Sequence, residues 1–117
     1  MSSHKKLTKR FSRRTGPKKM LIKGLLVNLI NNEKIVTTKA KAFEIKRHFD
    51  KSITLAKKND LNSLRILIAR LSNKEAALKL VKDIAPKFQT RNGGYTTLVK
   101  MPNRQGDKSP MALIKII

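Results

Sequence analysis

The chain of 117 residues contains no cysteine and no tryptophan, and aromatic residues make up only 4% of it. Without cysteine it has no disulfide, no thiolate nucleophile and no zinc site built on sulfur ligands. The lack of disulfides is typical of a reducing compartment. Hydrophobic residues, mostly Leu, Ile and Ala, reach 39%. Length and composition therefore predict one domain with a modest core.

Acidic residues are also scarce, with 7 Asp and Glu against 28 Lys and Arg and a formal net charge of +21. No acidic residue precedes Glu33, although many basic residues do. Repulsion among so many like charges opposes compaction unless a polyanion neutralises them. A solvated face or a short nuclear-import tag would explain a single basic run, but the excess covers the whole chain. The composition therefore favours a nucleic-acid partner.

Long apolar runs and catalytic motifs are missing as well. The longest nearly apolar run in the first half covers residues 20–30, against roughly 20 residues needed to span a bilayer, and no small-residue cleavage pattern follows it. Neither His4 nor His48 has a nearby carboxylate pair or a serine at a nucleophile spacing. Glu44 and His48 share a helix face but are too few ligands for a metal site. We expect no enzymatic activity, metal, cofactor, membrane span or small-molecule substrate.

Hydrophobic periodicity divides the chain into four helices and three strands. The predicted helices begin at Thr15, after Thr38, after Asp60 and at a capping box over residues 72–75, and the fourth ends at Pro86. The predicted strands cover residues 34–37, 95–101 and 111–117. This order predicts an α+β fold in two layers, with about four helices packed on a small three-stranded mixed sheet. We expect residues 15–117 to form this single domain and residues 1–14 to form a basic extended tail, disordered in isolation and ordered on RNA.

Apolar stripes on the predicted helices indicate which residues form the core. Helix one carries Leu21, Leu25 and Leu29 beside Ile22, Leu26 and Ile30, and we expect it at the centre of the core. The inward positions of helix two are Ala42, Ile45, Phe49, Ile53 and Ala56, with Lys41, Arg47, Lys51 and Lys58 off that stripe. Helix three offers Leu61, Leu64, Leu67, Ile68 and Leu71, and helix four offers Ala76, Ala77, Leu80, Val81 and Ile84.

Two basic groups are candidates for RNA binding. The tail can reach several phosphates, and its Arg13–Arg14 pair suits bidentate phosphate contacts and base stacking. The second group surrounds the chain reversal at residues 86–108, where Tyr95 offers a ring for stacking or a hydroxyl for phosphate; an ordinary place at the edge of the core is equally open for it. So few aromatics disfavour rows of stacked bases and favour recognition of folded RNA by shape and phosphate.

Several motifs resemble those of bacterial-type large-subunit ribosomal protein number seventeen. Residues 33–44 (EKIVTTKAKAFE) and 53–57 (ITLAK) resemble its central motifs, and residues 85–88 (APKF), 93–96 (GGYT), 106–107 (GD) and 110–112 (PMA) resemble its closing ones. The chain departs from the family at Pro17–Lys18, where a His-Arg pair is usual, and at Thr97, where Arg is common.

The resemblance implies a two-layer α+β protein that binds large-subunit rRNA near the outer side of the peptide exit region, beside neighbouring ribosomal proteins. It implies a place in the large subunit of a cytoplasmic ribosome, with an organellar ribosome also open. Together with the basic groups it gives these candidate RNA-binding residues: His4, Lys5, Lys6, Lys9, Arg10, Arg13, Arg14, Lys18, Lys19, Thr37, Thr38, Lys39, Lys41, Arg47, Arg91, Tyr95, Lys100 and Arg104. Two alternatives are a DNA-compacting architectural protein, which would use the same charge, and a membrane-active cationic helix, which would require helix one to be exposed.

Overall fold

The structure, a computed structural model, describes residues 15–117, with side chains from Lys18 onward, and the tail predicted at residues 1–14 lies outside that range. The helices are α1 (Thr15–Asn32), α2 (Lys39–Ala56), α3 (Leu61–Leu71) and α4 (Lys74–Lys79). The strands are β1 (Lys34–Thr38), β2 (Thr96–Met101) and β3 (Met111–Ile116). The predicted α+β arrangement of helices on a three-stranded sheet is confirmed over these residues.

The sheet has the strand order β1-β3-β2, and both pairings are antiparallel. The prediction of a mixed sheet is therefore wrong. The strands β1 and β2 run in the same direction, since each is antiparallel to β3, but β3 returns from β2 and lies between them. Because the two like-directed strands are never neighbours, no parallel ladder forms.

The core lies between the helices and the inner face of the sheet. From α1 the buried residues are Ile22, Leu26, Leu29 and Ile30; from α2 they include the whole predicted stripe, Ala42, Ile45, Phe49, Ile53 and Ala56. The central strand β3 adds Ala112, Ile114 and Ile116 at alternating positions, as expected for a strand that covers the core with one face. The predicted role of helix one in the core is confirmed, because its buried residues belong to the same apolar cluster.

The caps of α3 and α4 explain the turn between them. The side chain of Asp60 accepts a hydrogen bond from the Ser63 backbone N–H at 2.7 Å, so the predicted cap of helix three is confirmed. Ser72 was expected to open helix four, but it ends α3 in a left-handed conformation (φ 52°). Asn73 caps α4 instead, accepting from the Ala76 N–H at 3.0 Å. Leu61, predicted to face inward, lies in the first turn of α3 and is 62% exposed.

The regular helix α4 ends at Lys79, before Pro86, which was predicted to end it, but helical winding continues through the proline to Phe88. After α4 the chain widens into a π-helical turn at Leu80–Ile84 and then tightens into a 3-10 turn at Ala85–Phe88. Pro86 lies in the first turn of that last segment, where its missing N–H is not needed. The change of winding accommodates the proline while Leu80, Ile84 and Phe88 remain buried.

Candidate nucleic-acid interface

The acidic residues of the described chain are largely engaged by their own neighbours. Glu44 accepts from Arg47 and lies 3.3 Å from His48 Nε2. Three more ion pairs join Glu33 Oε1 to Lys87 Nζ at 3.7 Å, Asp50 Oδ2 to Lys46 Nζ at 3.8 Å, and Asp107 Oδ2 to Arg104 Nη1 at 3.4 Å. Asp60 serves as a helix cap, and the N–H of Ser63 on its carboxylate keeps its pKa below the usual value. With so few carboxylates, the surface potential over residues 18–117 is set by the excess of Lys and Arg.

One end of the sheet brings three of the sequence-predicted residues together. Thr38 pairs with Met111 across the β1–β3 ladder, and the Lys39 N–H donates to the Pro110 carbonyl at 3.0 Å. Arg104 Nη2 approaches the Met111 sulfur at 3.6 Å. Thr38 is the residue that precedes α2, in an extended conformation, but its side chain makes no capping hydrogen bond. Thr38, Lys39 and Arg104 therefore lie at the same corner, next to the first turn of α2.

The opposite end of β2 carries Arg91 in a turn that the core holds in place. Gly93 and Gly94 adopt positive φ (81° and 63°), which glycine does without strain. The Arg91 side chain donates from Nε to the Gly94 carbonyl at 3.1 Å. Lys57 Nζ donates to the Arg91 carbonyl at 2.6 Å, so the residue that caps the C-terminal end of α2 is tied to the turn that presents Arg91.

Tyr95 is a core residue and not an exposed platform for a base. Its side chain is only 2% exposed, and its ring packs against Phe88 with centroids 5.1 Å apart. Its hydroxyl donates to the Arg91 carbonyl and accepts from Lys57 Nζ, both at 3.2 Å. A hydrogen bond from the Gly93 backbone and the nearby Lys57 lower the pKa of Tyr95. Of the two roles left open by the sequence, the structure supports the core position, in which Tyr95 orients the Arg91 turn.

The second basic group of the sequence analysis is split by β2. Arg91 precedes this six-residue strand and Arg104 follows it, so the whole length of β2, about 17 Å, lies between them along the chain. Lys100 is exposed near the Arg104 end of the same edge strand. Residues 86–108 therefore contribute to two ends of the sheet and do not form one cluster.

Four of the remaining predicted residues lie on the two long helices. Lys19 is exposed and Lys18 half-buried in the first turns of α1; in the first half of α2, Lys41 is half-buried and Arg47 exposed. The predicted tail residues, His4, Lys5, Lys6, Lys9, Arg10, Arg13 and Arg14, lie outside the described residues. Thr37 is half-buried in β1, one residue before the corner.

Two features of the basic surface were missed from the sequence. One is a shallow groove between α2 and α3, lined by Lys51, Thr54, Leu55, Lys58 and Arg70. Helical periodicity placed Lys51 and Lys58 on the back of helix two, but only the packing of α3 brings Arg70 beside them. The other is Phe43, which is 54% exposed in α2 with Lys39 Nζ 5.9 Å from its ring centroid. Its place between Lys39 and Arg47 at four-residue spacing was a signal in the sequence.

The outer face of the sheet has a different character. The cross-strand register places Val36, Leu113 and Val99 in one row, and both valines are exposed. In the adjoining row Lys34 lies directly opposite Lys115. Like charges directly opposite each other destabilise a ladder, so this end of the face favours an anionic group between the two ammonium groups.

The described part of the chain offers no support for a metal site or for a membrane-spanning helix. Within residues 15–117 no three His, Asp or Glu side chains are grouped so that they could hold a metal ion. None of the helices in this range combines the length and apolar character needed to cross a membrane. His48, the one histidine in the range, has a pKa below its usual value because burial disfavours the imidazolium more than Glu44 stabilises it.

Fold and surface together define a small, strongly basic two-layer α+β protein. A family model described as ribosomal protein L17 matches residues 21–117. The large ribosomal subunit protein bL17 of Aliarcobacter butzleri is 45% identical over 114 residues, which are 97% of this chain and 98% of that protein. The chain belongs to the ribosomal protein L17 family.

Two further relatives agree, and one of them is longer than this chain. The protein of the same name from Natranaerobius thermophilus is 44% identical over 109 residues, covering 93% of this chain and 96% of the relative. That from Bdellovibrio bacteriovorus is 45% identical over all 117 residues, which are 65% of its length. The family consists of ribosomal structural proteins and is not known to be enzymatic, and membership supports a structural role in the large ribosomal subunit.

Proposed function

We propose that the chain is a structural constituent of the large ribosomal subunit that binds and stabilises folded large-subunit rRNA near the outer side of the peptide exit region. The observation that carries this proposal is the family match over residues 21–117. The strongly positive surface of the described domain supports it, since phosphate contacts provide most of the affinity of such proteins. The site of action is the cytoplasmic ribosome of a bacterium, with an organellar ribosome as the other possibility.

The domain and the tail have different parts in this proposal. Residues 15–117 form a single rigid platform that presents cations at fixed positions: the corner at Thr38, Lys39 and Arg104, and the turn at Arg91. Residues 1–14 carry six of the 28 Lys and Arg residues and thread between RNA helices, where each cation displaces condensed counterions. The platform fixes the register of the complex, and the tail adds salt-dependent affinity.

Individual side chains take roles that follow from their surroundings. Lys19 near the start of α1, Arg47 in α2 and Lys100 in β2 are exposed and contact phosphates. Lys18 and Lys41, in the first turns of α1 and α2, are half-buried and add to the same contacts. The two threonines at the end of β1, Thr37 and Thr38, supply hydroxyls close to the first turn of α2, whose dipole favours an anion. Tyr95 acts indirectly, through the backbone that positions Arg91.

Neighbouring large-subunit proteins are the second class of partner. The row of Val36, Leu113 and Val99 suits apolar side chains of another protein better than a phosphate backbone. The Lys34–Lys115 pair favours a carboxylate at the edge of that contact. A second copy of this chain is disfavoured on this face because its net charge is +21.

Sedimentation of a native lysate through sucrose gradients at low and high salt tests the proposal. We expect the protein to migrate with the large subunit at both salt concentrations. Co-migration with DNA, or release to the top of the gradient at low salt, would contradict it and favour a DNA-compacting protein. Treatment with RNase or DNase before the gradient separates these cases, because the migration of the protein changes only when the nuclease digests the nucleic acid to which the protein is bound.

A further inference from the structure

Phe43 stands apart from the other aromatic residues of the described domain. Phe49, Phe88 and Tyr95 are each at most 3% exposed, whereas Phe43 is 54% exposed. It lies on the side of α2 that faces away from the core, because Ala42 and Ile45 on the same helix are fully buried. Unlike the other three aromatic side chains of the described domain, the Phe43 ring is therefore not a buried part of the core.

Two cations flank the ring along the helix. Lys39 lies one turn before Phe43, with its Nζ over one face of the ring at 5.9 Å from the centroid, and Arg47 lies one turn after it. The nearest carboxylate along the chain, Glu44, is buried and accepts from Arg47. The exposed side of the helix thus presents an aromatic ring between the Lys39 ammonium and the Arg47 guanidinium, which is paired with Glu44.

This arrangement matches the chemistry of a nucleotide whose base is unstacked from its own helix. An exposed ring stacks on any base, since every base has a π-face, and cations beside the ring contact the phosphates on either side. A continuous RNA duplex offers phosphates but no free base face. The ring therefore favours a bulge or loop over a continuous duplex, and the cations alone do not distinguish the two.

We propose that Phe43 stacks on an unpaired base of the large-subunit rRNA while Lys39 and Arg47 contact the adjoining phosphates. The proposal rests on the proposed function, because it needs rRNA as the ligand. The surface around Phe43 would then recognise a nucleobase, whereas the other candidate contacts are suited to phosphates.

The absence of tryptophan from the sequence allows a direct test of stacking. Phe43→Trp in the full chain introduces a single tryptophan, which is excited selectively over Tyr95 at the red edge of indole absorption, and Leu61→Trp places the matched control at another exposed position, 62% exposed in the first turn of α3. The probe is deproteinised, refolded large-subunit rRNA, with a perfectly paired RNA duplex as the comparison. We expect rRNA to quench Phe43→Trp by roughly half or more and Leu61→Trp only slightly, and the duplex to quench neither, because stacked bases quench indole. Equal quenching of both variants, or a blue shift of Phe43→Trp without quenching, would overturn the proposal.

A substitution that keeps apolar bulk and helix propensity tests the energetic part. Phe43→Leu should weaken rRNA binding by about 5- to 100-fold, and Phe43→Tyr should restore most of it, because stacking needs a ring. The salt dependence of binding should not change in Phe43→Leu, since a ring releases no counterions, whereas Lys39→Gln should reduce it. Wild-type affinity in Phe43→Leu would refute the stacking contact alone; failure of the wild-type protein to bind rRNA at all would refute the proposed function with it.

Discussion

Truncation of Leu26 tests whether α1 is the centre of the core or a helix available to a membrane. Leu26 is 5% exposed and belongs to the apolar cluster that joins α1 to α2 and β3. Leu26→Ala removes three buried carbon atoms and leaves a cavity, so the free energy of unfolding should fall by about 2 to 5 kcal/mol. For a domain of this size the melting temperature should fall by roughly 10 °C or more.

The matched control is the same substitution at Leu61, which is 62% exposed on α3. Leu61→Ala should cost less than about 1 kcal/mol, because the surface it removes already faces water. Urea unfolding followed by far-UV circular dichroism measures both variants, at a salt concentration that screens the repulsion among the lysines. If Leu26→Ala cost no more than Leu61→Ala, the burial of α1 would be refuted and the membrane-active alternative revived.

Three further predictions address the tail, the sheet face and pH. Deleting residues 1–14 should reduce the salt slope of rRNA affinity by several units, at about 0.7 to 0.9 per phosphate contact, and an unchanged slope would refute the role of the tail. Val36→Ser with Val99→Ser should release the protein from large subunits at lower salt than Met20→Ser, another exposed position; release at equal salt would count against a protein neighbour on this face. The pKa of His48 is lower in the folded than in the unfolded state, so the unfolded chain takes up more protons as pH falls through about 6.5 and stability decreases. His48→Gln should flatten this decrease between pH 7 and about 5.5 in thermal unfolding, and an equal slope in both proteins would show that other groups cause it.

The helices were predictable because their signals are local. A stripe such as Ala42, Ile45, Phe49 and Ile53 repeats with the period of a helix and meets one core. Asp60 caps α3 through its own side chain and the next turn, within four residues of sequence. The strand pairing was not local: β3 lies between β1 and β2, and nothing in the strands themselves specifies which neighbour each one takes.

The ends of elements were harder because one residue can satisfy two motifs. Ser72 fits the start of a capping box, but it occupies the left-handed position that ends α3. Asn73 therefore caps α4. Pro86 is a strong stop for a regular helix, yet it is tolerated at the start of a new turn. Local patterns therefore predicted that a break would occur there and not how the backbone would accommodate it.

Charge predicts the kind of partner but not the task of each lysine. Lys46 Nζ donates to the Thr96 carbonyl and hydroxyl, at 3.1 and 3.2 Å, and so ties α2 to β2. Lys57 does the same for the turn that carries Arg91, at a sequence separation of 34 residues. Such partners are distant in sequence, so a count of basic residues assigns these lysines to the nucleic acid when the domain itself uses them. Burial and long-range partners, and not charge alone, decide which side chains remain at the surface, and Phe43 is exposed beside Lys39 although it carries no charge.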